Sequence, residues 1–165
     1  ARQPRHLVFH PRLPIAYTTN EREVPGVGVW SWNSDAGHLE TLQSIPSTPA
    51  EFTGSITTAD LHLTPDARFL YLSNRDLTDR KARTGNSNIA AFQIDPETSH
   101  LTLIDHFPSE HIPRSFCIHP KGQFLYVAGQ MDDTLGAYRI DPETGRLTRI
   151  AQYPTGKNPS WVQVF

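Results

Sequence analysis

The chain has 165 residues, a formal net charge of −2 and 37% hydrophobic residues. That length supports one core and one domain, and the small, mixed charge excludes a nucleic-acid-binding or polybasic membrane surface. One cysteine, Cys117, excludes an intrachain disulfide and fits a reducing compartment, so a cytoplasmic location is expected.

The chain opens on "ARQPRHLVFHP", which has neither a starting methionine nor the apolar stretch of a signal peptide, and this predicts a processed or truncated chain. "HLVFH" (His6–His10) then reads as a short strand, and a turn follows at Pro11. "IAYTTN" (Ile15–Asn20) is a second strand, rich in β-formers. "VGVWSWNSDAGHLETL" (Val27–Leu42) reads as a hairpin, closing at "IPS".

The same series then recurs. "DLHLT", "PDAR" and "FLYLSN" follow from Asp60, and "IAAFQIDPETSHLTLI" supplies the hairpin over residues 89–104. "SFCIH", "PKGQ" and "FLYVAG" follow from Ser115, and "LGAYRIDPETGRLTRI" supplies the hairpin over residues 135–150. In the last hairpin Asp141 opens the turn, Pro142 presets its next position, and Gly145 takes the left-handed conformation. Ser99 replaces that glycine in the second copy, at a modest cost in strain. Aligned on Pro11, Pro65 and Pro120, the three copies place Tyr17, Tyr71 and Tyr126 alike, and then Glu21, Arg75 and Gln130.

Each copy is four antiparallel strands, the unit of a β-propeller blade. The expected blades cover residues 5–58, 59–112 and 113–157, with a last strand over 158–165, in one partial propeller domain of 1–165. Polar insertions sit at "TPAEFTGSITT" and at Asp76–Asn88, and the second could reshape the rim of a site. A β-sandwich would explain the strand count but not the internal repetition. Propellers need about four to eight blades to close. About three and a half blades therefore predict partner blades, on an upstream segment or on a second copy of the chain.

Hairpin spacing places the residue six before each proline opposite the residue ten after it. That expects the pairs Arg5–Glu21, Ala59–Arg75 and Arg114–Gln130. These pairs lie far from the turns, where inner strands converge on one mouth of the channel. Arg5, His6, Glu21, Arg75, Arg114 and Gln130 are expected to ring it, with the arginines suited to an anion. Arg5 and Glu21 read equally well as a plain cross-strand ion pair. Asp60 and His62, two apart on one strand face, are an acid and an imidazole that could act together, but they read better as a pair tying blades together. Cys117, between Phe116 and Ile118, reads as a buried thiol. His10 and His119 precede turn prolines and read as structural, and the remaining histidines show no metal-ligand spacing. No metal or cofactor is expected.

"RHLVFHP", "YTTNE", "ADLHLTPDARFLYLSNR", "PRSFCIHPKGQFLYVAGQ" and "GKNPSWVQV" together resemble the lactonase family of seven-bladed propellers. That family includes bacterial propeller-type 6-phosphogluconolactonases and fungal carboxy-muconate lactonizing enzymes. The likeness covers the C-terminal half of a member. Ala67 departs from it, standing where the family's turn has glycine. The resemblance implies catalytic roles for Arg5, His6 and Glu21; the spacing argument adds Arg75, Arg114 and Gln130 as substrate-binding residues. A further family histidine would fall before Ala1. Hydrolysis of a small anionic sugar-phosphate lactone is the leading expectation. A carboxy-muconate cycloisomerase or a non-catalytic binding module are the alternatives.

Overall fold

The computed structural model describes residues 3–79 and 85–165. Twelve strands form three separate antiparallel sheets of four, and no helix occurs among the described residues. The first sheet holds β1 (Pro4–Phe9), β2 (Ile15–Asn20), β3 (Gly26–Asn33) and β4 (His38–Pro46). The second holds β5 (Ile56–Leu63), β6 (Phe69–Asp76), β7 (Asn88–Ile94) and β8 (Leu101–Pro108). The third holds β9 (Pro113–Ile118), β10 (Phe124–Gly129), β11 (Thr134–Ile140) and β12 (Leu147–Pro154). Within each sheet the strands lie in chain order, so every connection is a hairpin. This is the all-β arrangement of propeller blades.

The turns follow their side chains. Asn33, Asp95 and Asp141 each accept two backbone N–H bonds through one side-chain oxygen at the tip of the third-to-fourth-strand hairpin. Gly37, Ser99 and Gly145 take the left-handed conformation there, at φ of 60°, 60° and 69°. Ala67 does the same in the first turn of blade two, at φ 57°, where blade three has Gly122 at 71°. His10 and His119 each accept a backbone N–H from the turn they precede.

The core lies between blades. Ile15, Tyr17, Val27 and Val29 of the first sheet pack on Leu61, Leu70, Leu72 and Phe92 of the second. Phe69, Tyr71, Ile89 and Ala91 of the second pack on Phe116, Leu125, Val127 and Tyr138 of the third. The repeated tyrosine locks each interface. Tyr17 donates to the Ser99 carbonyl at 3.3 Å and Tyr71 to the Gly145 carbonyl at 2.8 Å, so each reaches the hairpin tip of the next blade. Burial pushes the Tyr17 hydroxyl up to about 12. Tyr126 holds the same position in blade three and is only partly buried.

Two expectations of detail change. Residues 158–165 form no strand; Asn158 takes a left-handed φ of 56°, and the segment touches β9 where the Val162 amide donates to Ser115 Oγ at 3.3 Å. The segment has no ladder partner, and strand structure requires one. The hairpin registers are also displaced. Pro4 faces Asn20, Thr57 faces Arg75 and Pro113 faces Gly129, in place of the expected pairs. The first two strands of each blade fold one residue tighter at the turn than the spacing predicts. Each inner strand then bulges, between Pro4 and Leu7, between Thr58 and Leu61, and opposite the step from Ala128 to Gly129. Residues 80–84 of the Asp76–Asn88 insertion lie outside the described residues, and with them much of the expected rim.

Replacing Gly37 and Gly145 by alanine separates conformational strain from crowding. A Cβ at Gly37 meets nothing, whereas one at Gly145 would sit 2.5 Å from the Phe69 ring. Urea unfolding is expected to show a loss of about 1–2 kcal/mol for Gly37→Ala and about 2–4 kcal/mol for Gly145→Ala. Equal losses would mean that the hairpin tip does not seat against blade two. The Cys117 thiol is buried, and burial pushes its pKa up to about 11. Native-state labelling by a thiol reagent is expected to be slow beside that of the unfolded chain.

Candidate functional site

The three bulges stand at one end of the array, opposite the first turns. A bulge redirects the side chains beside it, and these bulges hold Arg5 and His6, then Ala59 and Asp60, then Arg114. The corresponding residues of successive blades therefore meet around the axis.

Glu21, just beyond the end of β2, is the centre of an ionic network. Its Oε1 accepts from Arg75 Nη2 at 2.5 Å and lies 3.9 Å from Arg5 Nε. Its closest partner thus sits on the next blade, so Arg5 and Glu21 are not the simple cross-strand pair that the sequence also allowed. Arg75 is 7% exposed, and its Nη2 also donates to the Thr58 carbonyl at 3.0 Å. Its Nε has no partner among the described residues. Burial lowers the pKa of Arg75, and the Arg5 and Arg114 charges act in the same direction against Glu21. Burial and then Arg114 likewise lower that of Arg5, opposed by Glu21 and Asp60. Arg114 itself is exposed. Three guanidinium groups thus share one neighbourhood with one carboxylate at its centre, which leaves net positive charge for an anion to compensate.

His6 is held on both sides. Its Nδ1 lies 2.7 Å from Asp60 Oδ1, and its Nε2 lies 2.9 Å from Arg5 Nη1. Asp60, 3% exposed, spans all three blades. It meets His6 of the first, receives the Leu61 amide of its own, and receives the Phe116 amide of the third at 3.2 Å. His62 Nε2 lies 3.3 Å from its Oδ2. Burial alone would raise the Asp60 pKa, but the hydrogen bonds from His6 and His62 lead the opposing effects, which outweigh it and hold the carboxyl well below the usual range.

Gln130 is different. Its backbone amide reaches the Ile112 carbonyl, and its side chain makes no hydrogen bond to the arginines among the described residues. The contact between Asp60 and His6 is the feature that sequence reasoning passed over. The signal was present, since Asp60 follows Ala59 as His6 follows Arg5. A mostly apolar groove of about 550 Å³ lies at the opposite, turn end between blades two and three, lined by Pro65, Phe69, Pro120, Phe124 and Pro142. It contains none of the charged cluster.

Comparison with known proteins agrees with this architecture. A family model described as "Lactonase, 7-bladed beta-propeller" matches residues 2–164. A 6-phosphogluconolactonase from Pectobacterium carotovorum is 39% identical over 98% of the chain and 46% of its own length. One from Cronobacter sakazakii is 37% identical over 98% and 45%. Among solved structures, the periplasmic gluconolactonase of Pseudomonas aeruginosa superposes with a TM-score of 0.83 at 31% identity, covering 95% of this chain and 41% of that one. A protein from Lactobacillus plantarum gives 0.84 at 28% identity, covering 96% and 43%. The chain spans less than half the length of these relatives. Its three four-stranded blades, their inward bulges and the match along nearly every residue place it in the lactonase family of seven-bladed β-propellers.

Proposed function

We propose that this chain is about half of a propeller that hydrolyses a sugar-phosphate lactone, with its site at the mouth formed by Arg5, Glu21, Arg75 and Arg114. The observation that carries the reading is the Arg5–Glu21–Arg75 network across two blades, in a chain whose relatives are called 6-phosphogluconolactonases. Further blades complete the ring, contributed by another segment of the protein or by a second copy. A cytoplasmic setting accords with a single, buried cysteine.

Hydrolysis needs a water made nucleophilic, an oxyanion stabilised and the ring oxygen reprotonated as it leaves. Glu21 is the base: it removes a proton from water as the water attacks the lactone carbonyl carbon. The tetrahedral oxyanion is stabilised by Arg5, whose guanidinium is held at the mouth. Collapse breaks the bond from carbon to ring oxygen, and the proton held by Glu21 returns to that oxygen. Arg75 keeps Glu21 in place and, with exposed Arg114, attracts the phosphate. His6 is a poorer base here than its residue type suggests, because both ring nitrogens are already engaged. Gln130 lines the rim at most, being unconnected to the arginines.

The experiment is lactone hydrolysis by the assembled propeller, with a carboxy-muconate lactone assayed in parallel. Turnover of the second alone would replace hydrolysis by cycloisomerisation, and turnover of neither would leave a binding module. A solution mass above that of the lone chain is expected wherever activity is found. Glu21→Gln keeps the shape and still accepts from Arg75, so the fold should stand, with some loss of stability from the uncompensated arginines, while kcat falls about 10²- to 10⁴-fold. Unchanged turnover with a modest loss of stability would make Glu21 structural. Arg114→Ala, at an exposed position, should raise KM by roughly 10- to 100-fold with no loss of stability, the weight of one charged hydrogen bond. Arg75→Ala should weaken substrate binding by about 2–5 kcal/mol, since it also leaves Glu21 without its closest partner.

A further inference from the structure

We propose that Asp60 is a positioning residue for this site: by fixing which nitrogen of His6 carries the proton, it holds the Arg5 guanidinium with its Nε and Nη2 edge turned toward Glu21 and the mouth. The proposal rests on the reading of the mouth as a lactone site and assigns a role to a residue outside it.

Asp60 cannot turn. Its Oδ1 receives His6 Nδ1 and the Leu61 amide, and its Oδ2 receives the Phe116 amide, with His62 Nε2 3.3 Å away. Two of those donors are backbone N–H groups, whose polarity is fixed by the chain. An ionised carboxylate only accepts, so the proton between Asp60 and His6 belongs to Nδ1. Nε2 of the neutral ring then presents its lone pair. Arg5 Nη1, which can only donate, lies 2.9 Å from it. The order of donors is consistent from end to end, from Arg5 to His6 to Asp60.

The other Nη1 proton is also used. Arg5 Nη1 donates to the Ala59 carbonyl at 2.9 Å, on the same inner-strand bulge as Asp60. With both Nη1 protons engaged, Arg5 turns its Nε and Nη2 edge, the fork that binds a carboxylate, phosphate or oxyanion bidentately, toward the mouth, where Glu21 Oε1 lies 3.9 Å from Nε, beyond hydrogen-bond distance. Arg75 and Arg114 lower the pKa of Arg5 or are themselves affected by its charge, so the group sits among like charges. Two acceptors on its far side, the Ala59 carbonyl and His6 Nε2, keep it turned toward the mouth, and only the second depends on a tautomer. His6 supplies that acceptor only while it is protonated on Nδ1.

The tautomer can be read without any turnover. Histidine-selective ¹⁵N NMR of the 165-residue chain is expected to show His6 neutral and protonated on Nδ1; protonation on Nε2 instead would overturn the proposal. Catalysis gives the second readout, in the assembled propeller with 6-phosphogluconolactone. Asp60→Asn places an N–H either against the Phe116 amide or against His6, and the second arrangement reverses the tautomer. The expected result is a fall in kcat/KM on the order of 10- to 100-fold, typical of groups that orient a site from behind. If Asp60 works through Arg5, that fall disappears in an Arg5→Lys background. A fall of equal size in both backgrounds would make Asp60 only a tie between blades and would overturn the proposal. Should Asp60→Asn fail to fold, His6→Ala, at a partly exposed position, is expected to show the same loss and the same dependence on Arg5; full activity would overturn it. A wild-type propeller that turns over no lactone removes the proposed activity, and the tautomer then decides the relay by itself.

Discussion

A four-stranded sheet of this size has two faces to cover and cannot cover either by itself. The structure depends on that constraint. Each blade hides its apolar residues against the next, so the two cores lie between sheets and not within any one of them. The hydrophobic driving force is tied to the repeat: burial of Tyr17, Val27 and Val29 requires that a second blade present Leu61, Leu70 and Phe92 opposite them. The faces at the two ends of the array keep Leu7, Phe9, Ile150 and Tyr153 substantially exposed.

Stacking equal units has a second consequence. Residues at equivalent positions of neighbouring blades come into contact, and several of the polar contacts span 54 residues. His6 with Asp60, Arg5 with the Ala59 carbonyl, Glu21 with Arg75, and Arg12 with the Asp66 carbonyl all share that separation. The repeat is therefore also a rule for assembling a site. A residue type that changes between copies, such as His6 becoming Asp60, brings unlike groups together at the axis. An identical residue in each copy, such as the tyrosine, gives the same interface bond at both blade interfaces, from Tyr17 and from Tyr71. Variation at the mouth and constancy in the core are compatible because the bulges separate them. Beyond each bulge the ladder no longer dictates which way a side chain points.

Charge at the mouth is arranged against its own desolvation. Arg75 is buried, and burial disfavours its charge, yet a carboxylate and a carbonyl meet its Nη2. Asp60 is buried too, and two imidazoles and two backbone amides compensate it. Each buried ion thus has its partner on a different blade from its own, in whole or in part. Displacing one blade would leave charges unpaired in a dry place, so the polar network fixes the relative setting of the blades more sharply than apolar packing can.

The strand-turn-strand repeat, the hairpin tips with Asp141 and Gly145, and the all-β class were legible in the sequence because they rest on local chemistry. Proline and glycine restrict φ, aspartate accepts from the next amides, and apolar residues alternate. The residues of the charged mouth were legible as well, through their equivalent places in three copies. Their partners were not. The sequence paired Arg5 with Glu21 and read Asp60 with His62 as a tie between blades; the folded chain keeps both contacts but gives Glu21 its closest partner in Arg75 and joins Asp60 to His6 as well. Hairpin arithmetic works within one blade and assumes an even ladder. A one-residue bulge in each inner strand and the packing of the next blade lie outside it. Local sequence determined what each blade is; only the tertiary structure decided which charges meet, because those contacts form between blades, across 54 residues, where no local rule reaches.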